Sequence, residues 1–266
     1  MLRKLPQLDH VRRVARLSEQ PAAWGHYLVG RRRKRVAAAG PPAVFDPASI
    51  ASLRLWLRGD DIGASDFSPV SLWPDASGYG NDVEQITGMK QPTFVAAQLG
   101  VHSFVRFDGI DDTLFKAAAA GFGCATGHTV IAVMNPTVAQ AYGMAVVTNY
   151  QQNEFRQNGT GGFPQWMIPS GFHQVDGSYD LSGLWKVWAG TYRVSNAQIQ
   201  LFINGVSQGT DTDTDPLGVG DIYLGSRTDT YHWLGDIAEV LVFDDALGAT
   251  DRSNVEGYLI AKYGLT

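Results

Sequence analysis

The chain has 266 residues, 44% of them hydrophobic and 11% aromatic, with 30 Gly, 12 Pro and one Cys; that is enough apolar material for one sizeable domain and excludes disorder throughout. The net charge of −5 hides a division, because residues 1–45 carry 10 basic and 2 acidic side chains and the remainder 11 and 24, a segment of +8 ahead of a body of −13. A single cysteine, Cys124, excludes an internal disulfide and is read as a packing residue, so burial must hold the fold together.

Residues 1–45 read as a basic N-terminal arm. Leu5, Leu8, Val11, Val14 and Leu17 recur every three residues, which a short amphipathic helix would align on one stripe, and Pro21 ends it. Trp24 and Tyr27 then precede the run Arg31, Arg32, Arg33, Lys34, Arg35 and a linker-like AAAGPPA. So short a segment cannot build a core of its own. An extended, partly helical arm of this kind is expected to dock on something larger. The start MLRKLPQLDHVRRVARL lacks the apolar run and small-residue cleavage site of a secretory signal, and no stretch approaches the roughly 20 apolar residues that span a bilayer. A soluble product of the cytoplasm, without export signal or membrane insertion, is therefore expected. The Arg31 to Arg35 run has no interleaved base-stacking aromatics, so specific nucleic-acid binding is not expected of it.

Residues 46–266 read as a mainly β domain. Short runs rich in Val, Ile, Phe, Trp and Thr lie between Gly, Asn, Asp and Pro turns. Expected strands include Leu53 to Arg58, Ser103 to Asp108, Thr129 to Met134, Met144 to Thr148, Lys186 to Tyr192, Gln198 to Ile203, Ile222 to Leu224 and Ile237 to Phe243. Asn204-Gly205 between IQLFI and VSQG is a two-residue hairpin signal, since both central residues must take φ > 0. Near the C-terminus Val255, Leu259 and Tyr263 recur four apart; Thr250 is read as the N-cap of a short helix and Gly264 as its stop. No repeat with a period of about 20–50 residues is visible, which argues against a propeller or solenoid.

Eight segments, LRLWLRGDDI (53–62), VSLWPDASGYGND (70–82), PTFVAA (92–97), VRFDGIDDTL (105–114), LFINGV (201–206), YLGSR (223–227), LGDIAEVLVFDDAL (234–247) and VEGYLIAKYGL (255–265), occur in this order. Together they resemble the laminin-G-like members of the concanavalin A-like lectin/glucanase superfamily, of the kind found in bacteriophage or phage-like particle structural proteins. The resemblance covers residues 53 to 265 and none of the arm. It implies a jelly-roll sandwich of two antiparallel sheets, a use in binding glycans or proteins, and often one Ca²⁺ at the loop end. Trp233 precedes a core strand and is read as a packing residue.

Catalysis is not expected. Retaining glycosidases need two carboxylates about 5–5.5 Å apart, and none of the five glutamates, Glu19, Glu84, Glu154, Glu239 and Glu256, has the alternating spacing to a second acid that would place both on one sheet face. Gly-x-Ser-x-Gly is absent, Cys124 and His128 are too local a pair to read as a nucleophile and base, and the six histidines show no paired metal spacing. Asp211, Asp213 and Asp215 alternate like the start of an EF-hand, but Pro216 stands where its glycine belongs and Ile222 where its glutamate belongs. The cluster Asp75, Asp82, Asp108, Asp111 and Asp112, with Asn81, has two readings: Asx-capped turns, or an oxygen-only calcium site.

A sugar site needs an aromatic face with amide or charged groups beside it. The segment 149–179, the least family-like, supplies Tyr150, Asn153, Arg156, Trp166 and His173 as the expected glycan-binding set, with ordinary loop and edge residues as the alternative reading. The function expected is a non-enzymatic virion structural protein, a head decoration, spike or tail appendage. Its residues 1–45, with Trp24, Tyr27 and Arg31 to Arg35, dock on other virion proteins while its lectin-like domain meets host surface polysaccharide. A homo-oligomer within a particle is expected. A soluble bacterial carbohydrate- or protein-binding module and a glycan hydrolase remain as alternatives.

Overall fold

Strands form where β-branched and aromatic residues run or alternate, and they stop at Gly and Asp turns. The computed structural model describes residues 45–148, 153–158, 161–168, 173–214, 220–228 and 230–266. The expected arm, with Trp24, Tyr27 and Arg31 to Arg35, and Tyr150 in the body lie outside the described residues. The chain divides into two compact units, of which the body is Ala43–Thr266. In chain order its strands are β1 (Leu53–Arg58), β2 (Leu72–Trp73), β3 (Val83–Glu84), β4 (Thr93–Leu99), β5 (His102–Asp108) and β6 (Leu114–Lys116). There follow β7 (Gly127–Pro136), β8 (Met144–Thr148), β9 (Asn153–Gln157), β10 (Pro164–Ile168) and β11 (His173–Asp176). The series ends with β12 (Lys186–Arg193), β13 (Gln198–Ile203), β14 (Val206–Thr212), β15 (Ile222–Leu224), β16 (Leu234–Phe243) and the helix α1 (Ala249–Tyr263).

Two antiparallel sheets result, the jelly-roll sandwich expected. Sheet A runs β14-β13-β12-β7-β16-β5-β4, with β1 also paired to β16; sheet B runs β11-β10-β9-β8-β15-β6-β3-β2. β16 is the spine of sheet A, flanked by β7 on one side and by β5 and then β1 on the other. Asn204 and Gly205 take φ of 48° and 79° and close the β13–β14 hairpin as their sequence requires. The helix ends at Gly264 with φ of 62°, but it starts at Ala249 with Gly248 as N-cap and no side-chain cap; the expected N-cap, Thr250, already lies inside the first turn.

The core has two layers. Leu55, Phe107, Val130, Ala132, Trp188, Trp233 and Val242 face sheet B, whereas Trp56, Phe104, Ile131, Val133, Leu241 and Phe243 face away from it and meet Val255, Leu259 and Tyr263 of α1. The helix explains why the strands of sheet A read as continuous apolar runs: both of their faces are covered. One charged group crosses this second layer. Glu239 is fully buried and accepts hydrogen bonds from Trp56 Nε1 at 2.6 Å, Lys262 Nζ at 2.6 Å and Tyr263 Oη at 2.7 Å. Its carboxylate is thus committed to fastening α1 onto β16.

Candidate functional site

Of the five residues expected to bind glycan, the four that are described do not converge. β9 alternates, so Asn153 and Phe155 point into the sandwich and Glu154 and Arg156 away from it. Trp166 on β10 also points inward. It is fully buried, its ring 4.7 Å from that of Phe155 and laid on Gly190, where a Cβ would collide with the indole. The expectation that Trp166 faces a sugar is therefore corrected: it is a core residue. Asn153 is likewise interior, lining a small cavity with Phe122, Cys124, His128, Thr148 and Ile222. His173 sits at the sheet edge, its Nδ1 3.3 Å from Asp211 Oδ2, and the same carboxylate accepts from Gln174 N at 3.1 Å, latching β11 to β14. Of the described members, Arg156 is the one on the outer face of sheet B.

That face carries a row of groups placed by register, Arg156 opposite Gln165 and Gln165 opposite Asp176. Arg156 Nε donates to Gln165 Oε1, and Gln165 Nε2 donates to Asp176 Oδ1. Beside the row Glu154 is fully buried, 3.1 Å from Arg227 Nε and 3.6 Å from Arg156 Nη1. Burial pushes the Glu154 carboxyl up, opposed by Arg227 and Arg156, and pushes the Arg156 guanidinium down, opposed by Glu154. Two aromatic pairs flank these groups. Tyr142 and Tyr231, 44% and 51% exposed, meet edge to face at 6.2 Å, with the Arg156 guanidinium 5.2 Å from the Tyr142 ring. Phe115 and Tyr223, with rings 4.6 Å apart, line a groove of about 390 Å³ together with Gln85, Thr87, Lys90, Thr113 and Thr228. Tyr142, Tyr231, Phe115 and Glu154 carry no motif; a signal for Tyr223 and Arg227 existed in YLGSR, where period-2 alternation sets Tyr223 opposite in direction to Ile222 and Leu224.

The acidic set expected to hold calcium divides into two. Asp75 accepts from Trp56 N, Ser77 N and Asn81 N at 2.8–2.9 Å, and Asp82 accepts from Asp75 N at 2.7 Å; this knot caps the turn after β2. Asp75 and Asp82 are thereby corrected to capping residues. Asp108, Asp111 and Asp112 do form a cluster, each with a carboxylate oxygen within 4.8 Å of the others. Asp108 Oδ1 accepts from Ile110 N and Asp111 N, and Asp112 Oδ2 from Asp108 N, which leaves one oxygen of each turned to other uses. Burial pushes the Asp112 carboxyl up to about 6; the Asp108 N–H opposes this and the neighbouring Asp108 and Asp111 charges reinforce it. Gly109 holds the turn at φ of 75°, and a Cβ there would lie 2.7 Å from Leu234 Cβ.

Cys124 and His128 serve packing. Cys124 is buried, its thiol pushed up to about 12 by desolvation and by Asp244, and the buried His128 imidazole is pushed down to about 3, so neither is charged near neutrality. Sγ lies 3.7 Å from His128 Nδ1, and Nε2 is 2.9 Å from Thr148 Oγ1. Trp233 is fully buried, as its place before β16 implied. Among the described residues no helix is long and apolar enough to cross a membrane.

A laminin-G family model matches residues 108–251, more than half of the chain. The chain belongs to the concanavalin A-like lectin/glucanases superfamily. No curated protein sequence matches it. Solved structures similar to this superfamily member include the botulinum neurotoxin serotype D ligand-binding domain in complex with N-acetylneuraminic acid, 14% identical, with a TM-score of 0.61 over 80% of this chain and 53% of that one. The receptor-binding domain of the neurotoxin C/D mosaic serotype is 14% identical, with a TM-score of 0.60 over 79% of this chain and 52% of that one. Domain 4 of AbnA, a GH43 extracellular arabinanase from Geobacillus stearothermophilus, in complex with arabinotriose, is 16% identical, with a TM-score of 0.55 over 77% of this chain and 98% of that one. The chain thus spans about half the length of the toxin domains and nearly all of the arabinanase domain. At these identities the likeness is one of fold.

Proposed function

We propose that the body is a non-catalytic carbohydrate-binding domain that takes a glycan along the outer face of sheet B. One observation carries this reading: two aromatic pairs, Phe115 with Tyr223 and Tyr142 with Tyr231, lie on the same sheet face as a groove lined by amide, hydroxyl and ammonium groups. Aromatic faces cover the apolar C–H patches of a sugar ring, and planar polar side chains beside them hydrogen-bond its hydroxyls. Two fold relatives determined with N-acetylneuraminic acid and arabinotriose support a sugar as ligand. A non-catalytic role is supported by the employment of the carboxylates: Glu239 clamps α1, Glu154 is held between two arginines, and Asp108 and Asp112 cap their turn. In a glycan array followed by calorimetry, Tyr223→Ala and Tyr231→Ala together should weaken binding at least about tenfold, the loss of one to two buried aromatic contacts, with Tm little changed. Unaltered affinity in that variant would sink the assignment to this face.

Asp108, Asp111 and Asp112 would hold a Ca²⁺ through the carboxylate oxygens their turn leaves over, an all-oxygen set suited to a hard cation. In the wider setting, residues 1–45 act as the docking arm on a phage or phage-like particle, and the body faces outward toward host polysaccharide; the division between +8 and −13 supports this. Residues 46–266 alone should then bind glycan but fail to enter particles, and unchanged incorporation would refute the arm's role. The near-complete cover of the arabinanase domain favours a second reading, a bacterial carbohydrate-binding module outside any particle.

A further inference from the structure

The outer face of sheet A is apolar where α1 covers it, with Phe104, Val133 and Ala238 among its contacts. One polar row interrupts it. Register sets Thr93 opposite Arg106, Arg106 opposite Asp236, and Asp236 opposite Asn135, so one side chain from each of β4, β5, β16 and β7 stands in line across the sheet. These four line an open cleft of about 570 Å³, whose rim includes Asp108, Asp112 and Thr137. It shares no lining residue with the groove on sheet B.

The row is built rather than incidental. Arg106 and Asp236 form a two-pronged pair, Nε to Oδ1 at 2.7 Å and Nη2 to Oδ2 at 3.1 Å. The Asp236 side chain is only 5% exposed and that of Arg106 48%, so the carboxylate anchors a guanidinium that opens to solvent. Arg106 is braced from below by the Phe104 ring, 5.4 Å away, itself packed on Trp185 at 5.1 Å. Asn135 Oδ1 is buried and has no hydrogen-bond partner among the described residues, an acceptor whose satisfaction is worth having. Gly235 lets the strands approach here, since a Cβ would lie 2.6 Å from the Asn135 carbonyl oxygen.

We propose that this cleft is a second carbohydrate subsite, independent of the face on sheet B, and that it takes a neutral sugar. A sugar laid along the row meets it at two separate points: one hydroxyl donates to Asn135 Oδ1 while another, on the far side of Asp236, accepts from Arg106. The charge selects the ligand class. One cation, Arg106, faces the carboxylates of Asp108, Asp112 and Asp236 in the same lining, so in the calcium-free protein an anionic sugar meets net repulsion. With sites on the outer faces of opposite sheets, one body would bridge two glycan chains and gain avidity without further contacts.

The test uses the full chain in chelator on an array of neutral and sialylated oligosaccharides, with hits measured by calorimetry. A variant silenced on sheet B, Tyr223→Ala with Tyr231→Ala, should still bind neutral glycans and should bind their sialylated counterparts at least about tenfold more weakly. Adding Asn135→Leu, or Thr137→Trp at an exposed position of the cleft mouth where folding is not at stake, should lower the retained affinity at least about tenfold, a 1.4 kcal/mol change. The subsite is refuted if the sheet B variant binds nothing, if its binding is indifferent to both cleft variants, or if sialylated glycans bind as well as neutral ones. Binding abolished by Thr137→Trp alone would instead retain the cleft and discard the face on sheet B.

Discussion

Asp112 shows how much a single side chain can report. Its carboxyl is pushed up to about 6, first by burial and then by the charges of Asp108 and Asp111. An acid whose folded value lies above its unfolded one binds its proton more tightly when folded, so the ionised form weakens the native state above about pH 6, and the penalty fades as pH falls from 6 toward 4. Asp112→Asn, which keeps an acceptor for the Asp108 N–H, should melt higher than the wild type at pH 8 in chelator, with the two curves meeting near pH 4. A difference that stays constant with pH would exclude this cause. Added millimolar Ca²⁺ at pH 7.5 should raise the wild-type Tm and leave Asp111→Ala unmoved; equal melting with and without the ion would exclude the metal. The acids were visible in VRFDGIDDTL, but their separation from Asp75 and Asp82 was not, because both groups sit in Asp-rich turns whose only distinction is which backbone N–H groups they accept.

Among elements, α1 is the clearest case of structure held by one buried charge. Glu239 receives Trp56, Lys262 and Tyr263 in a fully buried site, and burial with the Glu239 charge pushes the Tyr263 hydroxyl well above its ordinary range. Glu239→Ala leaves Lys262 without its nearest carboxylate in a largely buried site and should cost about 3–5 kcal/mol in urea unfolding, with sugar affinity per folded molecule unchanged. A loss below about 1 kcal/mol would show that α1 is held by its apolar face alone. The elements themselves were readable to different depths. β1, β8, β13 and β15 fall on the expected residues, because each is a β-prone run cut off by turn residues. β9 and β10 are not among the expected strands: in β9 Asn153 and Gln157 on one face and Glu154 and Arg156 on the other are all buried, and in β10 Gln165 is buried too, and polar groups at buried positions erase the apolar alternation on which such a reading depends.

At the scale of the whole molecule, two sheets back to back turn one stretch of sequence into two surfaces with different chemistry. The outer face of sheet B offers aromatic pairs beside a groove of amide, hydroxyl and ammonium groups, whereas the end of sheet A offers a guanidinium among carboxylates. The sandwich class, the β13–β14 hairpin, the helix stop at Gly264 and the division between a +8 segment and a −13 body follow from the sequence by itself, since each depends on residues a few positions apart or on composition. Which aromatics are available to a ligand was decided only by the tertiary structure. Trp166 and Tyr223 both lie in short β-prone runs, and only Tyr223, set between Ile222 and Leu224, carries its direction in its neighbours. Trp166 is buried because the backbone of Gly190 on the opposite sheet makes room for its indole, and Tyr223 faces outward because Ile222 and Leu224 on either side of it are the residues the core takes.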